Sequence, residues 1–250
     1  MMQKALSGWQ GWDAPLATKP VVIEALSGGR TNCSFLVESG ICRAVVRINA
    51  ENSQSLGIDR QRESEIRAQL QPVGCVPRTL FASEEFLVSE YVSGRCWQSS
   101  DLEHKTNLEN ISILLKKIQS ISLPEKIIKR NYLVYCQNYI QQLPRLVQAL
   151  EKPFIDELLE TAHTIDQGNW TPVISHHDLV PENIIESRDR LFLLDWEYAA
   201  YGHPAIDFLR IQGDDYSESD GPSIKLLQQG MDRLWCLLQE HKEGAAGGTF

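Results

Sequence analysis

Short apolar runs separated by turn residues occupy most of the first ninety residues, and this pattern is typical of β-strands. After Asp59, whose side chain suits the N-cap of a helix, residues 60–70 instead follow a helical pattern. Pro77 favours an edge position for the strand that contains it, because proline cannot donate to a ladder. We therefore predict a sheet of five strands with one helix inserted after the third. The predicted strands cover residues 21–26, 34–37, 41–48, 76–81 and 86–92.

Beyond Ser93 and Gly94 the hydrophobic period becomes that of amphipathic helices. Leu108, Ile111 and Leu115, for example, recur at helical spacing. Residues 171–194 interrupt the pattern, because two short apolar runs at 183–185 and 191–194 flank a polar turn and predict a hairpin. The predicted fold class is α+β, with a β-rich part over residues 1–92 and a helical part over 93–250. The predicted helices cover residues 108–118, 132–143 and 154–165, and further helices run from after Asp207 to about residue 243.

Composition narrows the partners to expect. The chain has 250 residues, of which 42% are hydrophobic and 23% charged, so it has room for one large domain or two lobes that share a cleft. Lys and Arg number 24 against 33 Asp and Glu, which gives a formal net charge of −9. Nucleic acids and anionic membranes select basic surfaces, so we expect neither as a partner. If the substrate is charged and is not held by a metal, the negative net charge favours a cationic substrate over an anionic one.

Cysteine usage and the N-terminus indicate the compartment. The six cysteines are scattered without a Cys-x-x-Cys pair, which favours free thiols over a zinc or redox site. The first twenty residues lack the apolar core of a signal peptide, and no apolar run reaches membrane-spanning length. We therefore expect a cytoplasmic protein.

The predicted hairpin is bracketed by residues that carry chemistry. The octet HHDLVPEN at 176–183 fits the kinase catalytic-loop pattern H-x-D-L-x-x-x-N, and Asp195 follows the second strand of the hairpin. Asp178 is then placed to accept the proton of a substrate hydroxyl, while Asn183 and Asp195 offer oxygen ligands to Mg²⁺. His176 is expected to brace the loop. His177 is expected to be structural, with contact to the substrate as the alternative. The alternative is a plain turn followed by a helix cap at Asp195.

These residues, with LDWEY at 194–198, resemble the aminoglycoside phosphotransferase and choline kinase superfamily, which is related to the protein kinases. The resemblance extends over about residues 21–210 and is closest to the choline, ethanolamine and thiamine kinase branch. It implies a bilobal protein-kinase-like fold, with a nucleotide-binding antiparallel sheet and one helix in residues 1–92 and a mainly helical catalytic and acceptor-binding lobe in 93–250. It also implies ATP and Mg²⁺ as cofactors and a buried structural Asp207.

The same resemblance assigns residues to the nucleotide. Gly28 and Gly29 would let backbone N–H groups approach the phosphates, and Arg47 would take the place of the kinase lysine. Glu63, sixteen residues later, is the expected partner of Arg47, with Glu65 as the alternative on another helix face. The residues implied to bind the nucleotide are Ser27, Gly28, Gly29, Arg30, Thr31, Asn32, Arg47, Glu63, Glu90 and Tyr91.

The acceptor is expected to be a small hydroxyl compound, because only eleven residues separate Asp195 from Asp207 and no Ala-Pro-Glu tripeptide ends an activation segment there. An aromatic and acidic cluster suits a cationic alcohol through cation–π attraction. The candidate acceptor residues are Trp196, Glu197, Tyr198 and Tyr201, followed by Asp214, Asp215, Glu218 and Asp220. Alternatively, the aromatic side chains belong to the core and the acids form a solvated loop.

Three functions compete on this evidence. The first is an ATP-dependent kinase of the choline, ethanolamine and thiamine class, the second an aminoglycoside phosphotransferase, and the third a nucleotide-binding pseudokinase. The third needs a damaged site, yet Asp178, Asn183 and Asp195 are all present. Only about forty residues follow Asp207, which is short for this superfamily, so an acceptor pocket completed by a second subunit of a homo-oligomer is one expectation.

Overall fold

The computed structural model describes residues 1–26, 31–188, 190–213, 216 and 221–246. The predicted five-stranded sheet is present, antiparallel throughout, with the order β1-β2-β3-β5-β4. The strand that follows Pro77 does lie at an edge. The strands are β1 (Val21–Leu26), β2 (Cys33–Ser39), β3 (Cys42–Ile48), β4 (Thr79–Ala82) and β5 (Phe86–Glu90).

Two helices accompany this sheet, of which α1 (Met2–Ser7) was not predicted and α2 (Arg60–Leu70) was. Asp59 caps α2 as expected, since its Oδ1 accepts a hydrogen bond from the backbone N–H of Arg62 at 3.0 Å. The N-terminal segment buries Leu6 and Trp12 against the sheet and so covers one of its faces. Ile66 and Leu70 of α2 are buried in a second cluster, which includes residues of the helical part of the chain.

Six helices are found among the described residues of the second half. They are α3 (Lys105–Gln119), α4 (Tyr132–Ile140), α5 (Arg145–Leu150), α6 (Lys152–Gln167), α7 (Ala205–Gln212) and α8 (Gly221–Ala246). The apolar stripe of α3 is buried as its period predicts. The largest apolar cluster joins α4, α6, α7 and α8. Among the described residues, no helix has the length and apolar character that crossing a membrane requires.

Between these helices, the described residues also form two small sheets, one of three strands and one of two. The predicted hairpin is formed by β8 (Ile184–Ser187) and β9 (Arg190–Leu193), and β6 (Arg95–Cys96) pairs with β8. The second sheet, β7 (Val173–Ser175) with β10 (Ala200–Gly202), was not predicted. Its strands have only three residues each, too few for an alternating pattern to be read from sequence.

One predicted strand begins too early, at residue 76 where β4 begins at Thr79. Cys75 and Val76 belong instead to an apolar cluster that includes α3 and the catalytic hairpin. The carbonyl of Pro77 accepts from Arg67 at 3.0 Å rather than from a neighbouring strand. The apolar clusters therefore cross residue 92, and the boundary between the parts 1–92 and 93–250 stays a prediction.

Candidate active site

One buried carboxylate, that of Asp207, holds the loop after β7 through two hydrogen bonds. Asp207, in the first turn of α7, accepts the backbone N–H of His176 at 2.7 Å and that of His177 at 3.0 Å. His176 is also tied to Leu194, because its Nε2 lies 2.7 Å from a carbonyl that can only accept. Its Nδ1 is left to accept the N–H of Asp178 at 3.3 Å. His176 is thus neutral and braces the loop, and burial lowers its pKa.

Asp178, Asn183 and Asp195 line one open cavity of about 630 Å³, a volume typical of small-molecule sites. The hairpin brings the last two together, since the N–H of Leu194 bonds to the carbonyl of Asn183 at 2.8 Å. Asn183 donates its Nδ2 to the carbonyl of Asp178 at 2.9 Å. Its amide oxygen takes part in no hydrogen bond within the described part of the chain. The spacing of these residues in the sequence thus produces the expected convergence.

The carboxylates of this site carry raised pKa values. Partial burial, reinforced by the charge of Asp195, raises the pKa of Asp178 to about 7. Burial also raises the pKa of Asp195, although the nearby charge of Arg47 opposes it. A group that titrates near neutral pH is suited to receive a proton during a reaction.

The donor set fits Mg²⁺. Within the described residues no three His, Cys, Asp or Glu side chains cluster as a metal cage. Asp195 and Asn183 offer a carboxylate and an amide oxygen, and Mg²⁺ is commonly held by one or two carboxylates plus phosphates and water. Two protein ligands with room beside them are therefore what a cation that bridges phosphates requires.

Arg47 on β3 makes the predicted ion pair with α2. Its Nη2 lies 2.7 Å from Oε2 of Glu63, and its Nη1 lies 3.2 Å from Oδ1 of Asp195. Burial alone would raise the pKa of Glu63, but the charges of Arg47 and Arg60 outweigh it and lower the pKa to about 2. The alternative partner Glu65 is exposed and accepts from Gln61 instead.

A second arginine, which sequence reasoning missed, lies beside this pair. The side chain of Arg60 is only 4% exposed and donates to Oε2 of both Glu63 and Glu197, at 2.9 and 3.0 Å. It also bonds to Oδ1 of Asn32 at 3.1 Å, and Nδ2 of Asn32 bonds to Glu197 at 2.7 Å. Arg60 thus links the start of α2, the end of the nucleotide loop and the segment after Asp195.

The remaining nucleotide-binding candidates are distributed unevenly. Thr31 lines the cavity, and Asn32 is buried in the Arg60 network. Glu90 is the last residue of β5 and Tyr91 follows it, and neither is among the residues that line the cavity. Four candidates lie outside the described residues: Ser27, Gly28, Gly29 and Arg30.

The structure separates the acceptor candidates. Glu197 and Tyr198 line the cavity. Trp196 is 1% exposed and donates its Nε1 to the carbonyl of Leu193 at 2.9 Å, so it is a core residue. Tyr201 is also in the core, where its hydroxyl accepts from Gln69 at 2.9 Å. The prediction that Trp196 and Tyr201 contact the acceptor is therefore not supported, because both side chains lie in the core. The acids Asp214, Asp215, Glu218 and Asp220 lie outside the described residues.

His177, Val180 and Glu182 also line the cavity beside Asp178. Helices α4, α7 and α8 supply further wall residues, and none of these was selected from the sequence. They are Arg130 just before α4, Tyr135, Arg210, Met231, Asp232, Trp235 and Cys236. The two arginines are already engaged. The guanidinium of Arg130 lies 4.4 Å from the ring centre of Tyr135, and Arg210 pairs with Asp232 through both carboxylate oxygens.

Known proteins resemble this chain in sequence and in fold. A family model described as choline/ethanolamine kinase matches residues 23–234. A protein LicA homolog of Mycoplasma capricolum is 27% identical over 134 residues, which are 51% of this chain and 50% of that protein. A protein LicA of Haemophilus influenzae is 50% identical over 36 residues, 14% of either chain. The matched region thus spans about half the length of the first of these relatives.

Among solved structures, choline kinase LicA from Streptococcus pneumoniae matches with a TM-score of 0.74 at 22% identity, over 89% of this chain and 88% of that one. A structure of LicA in complex with AMP gives a TM-score of 0.78 at 21% identity, over 96% and 90%. An aminoglycoside phosphotransferase, APH(4)-Ia, gives 0.66 at 15% identity, over 91% of each chain. These likenesses show the bilobal kinase-like fold.

Proposed function

Because this chain belongs to the choline/ethanolamine kinase family, we propose that it transfers the γ-phosphoryl group of ATP to the hydroxyl of choline. The observation that carries the proposal is the convergence of Asp178, Asn183 and Asp195 on one cavity from three separate segments. A binding module would need only the nucleotide contacts. A base and two oxygen ligands on the same cavity are the parts that phosphoryl transfer requires.

Each of these residues has a role in the reaction. Asp178 orients the acceptor hydroxyl and takes its proton, for which a pKa of about 7 is well matched. Asn183 and Asp195 would hold Mg²⁺, which would neutralise phosphate charge. Arg47, fixed by Glu63, would contact the phosphates.

The side chains on the acceptor side favour a quaternary ammonium over a primary one. Glu197 already binds Arg60 and Asn32, and Asp232 already binds Arg210. A primary ammonium needs acceptors for three N–H donors, whereas a trimethylammonium group needs none. Aromatic faces attract a quaternary cation, and Tyr198 and Trp235 line this part of the cavity. We therefore place choline ahead of ethanolamine.

A coupled ADP-release assay tests this function with choline, ethanolamine, thiamine and kanamycin as acceptors, at saturating ATP and Mg²⁺. We expect kcat/KM for choline to exceed that for ethanolamine by at least about tenfold, and Asp178→Asn to lose turnover while still binding nucleotide. Asp156→Asn, an exposed aspartate on α6, is the matched control and should retain full activity.

The rival functions give different results in the same assay. Turnover with kanamycin alone would assign the chain to antibiotic modification. Nucleotide binding without transfer to any acceptor would indicate a pseudokinase. Equal turnover by Asp178→Asn and the parent protein would remove the proposed role of Asp178.

A further inference from the structure

The residue immediately before Asp178 has an unusual backbone conformation. His177 has φ of +65°, in the left-handed region that L-residues other than Asn, Asp, His and Gly rarely adopt. Such conformations persist only where the surroundings hold them, and they concentrate at functional sites. Asp195, the proposed metal ligand, has the same kind of backbone, with φ of +55°.

The imidazole of His177 is clamped on both sides. Its Nε2 lies 3.1 Å from the hydroxyl of Tyr132, and its Nδ1 lies 3.2 Å from the carbonyl of Ser175. The Tyr132 oxygen already accepts the N–H of His203 at 2.8 Å, so its own proton is free to go to Nε2. Nδ1 then carries the ring proton and donates it to Ser175. Every polar atom of the ring is satisfied in one neutral tautomer.

The ring of His177 is closely packed against β10 and Tyr132, although His177 also lines the cavity. His177 is 8% exposed and Tyr132 is fully buried. A Cβ atom placed on Gly202, in β10, would lie only 2.4 Å from Cε1 of His177. The ring therefore fits into space that a glycine keeps open, between β10 and the start of α4.

The backbone of Asp178, which follows His177, is also held by hydrogen bonds. The N–H of Asp178 bonds to His176, and its carbonyl accepts from Val180 at 3.1 Å and from Asn183 at 2.9 Å. The direction in which the Asp178 carboxylate leaves the loop is set by the torsion angles just before it. Those angles belong to His177.

We propose that His177 is a positioning residue, whose imidazole, clamped between Tyr132 and Ser175, holds the left-handed backbone that presents Asp178 to the acceptor hydroxyl. The inference rests on the proposed role of Asp178 as the proton acceptor. It assigns no proton transfer to His177 itself.

Substitution at position 177 separates a backbone role from a chemical one. Asn and Gly adopt the left-handed region readily, whereas Val is among the least able to do so. We expect His177→Asn and His177→Gly to keep kcat within about threefold of the parent, and His177→Val to lose about 10- to 100-fold. KM for MgATP should change by less than about twofold in all three, because the nucleotide contacts come from other segments.

A second set of variants tests the clamp without touching the loop. Tyr132→Phe removes the hydroxyl and keeps the ring, and we expect kcat to fall by about tenfold. Tyr139→Phe is the matched control, since it removes another buried hydroxyl of α4, one that bonds to Leu56 at 2.8 Å. Its kcat should equal that of the parent. Combining Tyr132→Phe with His177→Gly should cost no more than His177→Gly alone, because glycine needs no clamp.

Crystal structures provide a readout that does not depend on turnover. In Tyr132→Phe the Asp178 carboxylate should move by about 1 Å or more, a displacement large enough to affect catalysis. An unmoved carboxylate would overturn the proposal, and so would a His177→Val variant with parental kcat. Equal losses in His177→Asn and His177→Val would instead assign a chemical role to the imidazole. If the parent enzyme transfers phosphate and Asp178→Asn does not, any of these failures concerns His177 alone.

Discussion

Arg60 offers the sharpest test of how the two halves of the molecule are joined. Its buried guanidinium bonds to Glu63, Glu197 and Asn32, and to Oγ of Ser53 at 3.0 Å. Arg60→Met keeps an unbranched side chain that reaches about as far as the position of Nε, but it deletes the guanidinium with its charge and all of these donors. The apolar stem of the side chain still packs, so the loss of stability measures chiefly the contribution of the polar network.

The expected magnitude follows from what each partner retains. Glu63 keeps Arg47, and Glu197 keeps the amide of Asn32 but loses the only cation that bonds to it among the described residues. Removing one partner of a buried ion pair costs about 3–5 kcal/mol. At about 2–4 °C per kcal/mol for a chain of this size, the melting temperature should fall by roughly 6–20 °C.

Calorimetry or circular dichroism at neutral pH measures this change directly. Arg43→Met is the matched control, because Arg43 pairs with Glu38 on the surface, where its side chain is 55% exposed. Exposed pairs contribute little to stability, so the melting temperature of the control should change much less than that of Arg60→Met. Adding Glu197→Gln to Arg60→Met should recover part of the loss, because a neutral amide needs no cation. A loss no larger than that of Arg43→Met, or a further decrease on adding Glu197→Gln, would refute this reasoning.

Three further predictions concern the catalytic carboxylate, the chain crossing between the halves and the buried thiols. Burial raises the pKa of Asp178 from its ordinary 3.8 to about 7, so the folded protein retains a proton that the unfolded chain releases, and stability falls as pH rises through this window. In EDTA, Asp178→Asn should therefore melt above the parent at pH 8 and close to it at pH 4; equal differences at both pH values would contradict this. Gly94→Ala should lower the melting temperature by several degrees, because the added Cβ would lie 2.4 Å from a backbone carbonyl oxygen of β8. Gly11 has open space around it, so Gly11→Ala should change the melting temperature little. Equal effects of the two substitutions would contradict this prediction. Cys75 and Cys136 are buried, and burial raises the pKa values of their thiols to about 11 and 12. A thiol reagent should therefore modify them only after denaturation. Mass spectrometry of native and unfolded samples measures this difference.

The parts of the site that sequence reasoning found are those that local chain geometry brings together. Asp178, Asn183 and Asp195 lie within eighteen residues, and one tight hairpin is enough to make them converge. Arg47 and Glu63 lie on consecutive elements, a strand and the helix that follows it. Motif spacing therefore carries this information, because the intervening chain has few ways to fold.

The acceptor wall was missed for the opposite reason. Trp196 and Tyr201 are neighbours of Asp195, the proposed metal ligand, in sequence, but a short helical turn and a strand direct their side chains into the core. The wall comes instead from Tyr135 and Trp235, which lie on helices whose amphipathic pattern is that of ordinary core packing. Nothing in the spacing of a helix distinguishes an aromatic residue in the core from one that lines a cavity.

Local pattern thus predicted the five-stranded sheet, the helical second half and the hairpin at 183–194, because each depends on hydrophobic period or on short chain reversals. The motif around that hairpin predicted the convergence of its polar residues. Tertiary packing decided which carboxylates are neutralised, as in the pairing of Arg60 with Glu197 across 137 residues of chain. It also decided the left-handed backbone of His177, which depends on Tyr132, 45 residues away. Buried charge and backbone strain are tolerated only where distant groups compensate for them, and those groups meet only in the folded protein.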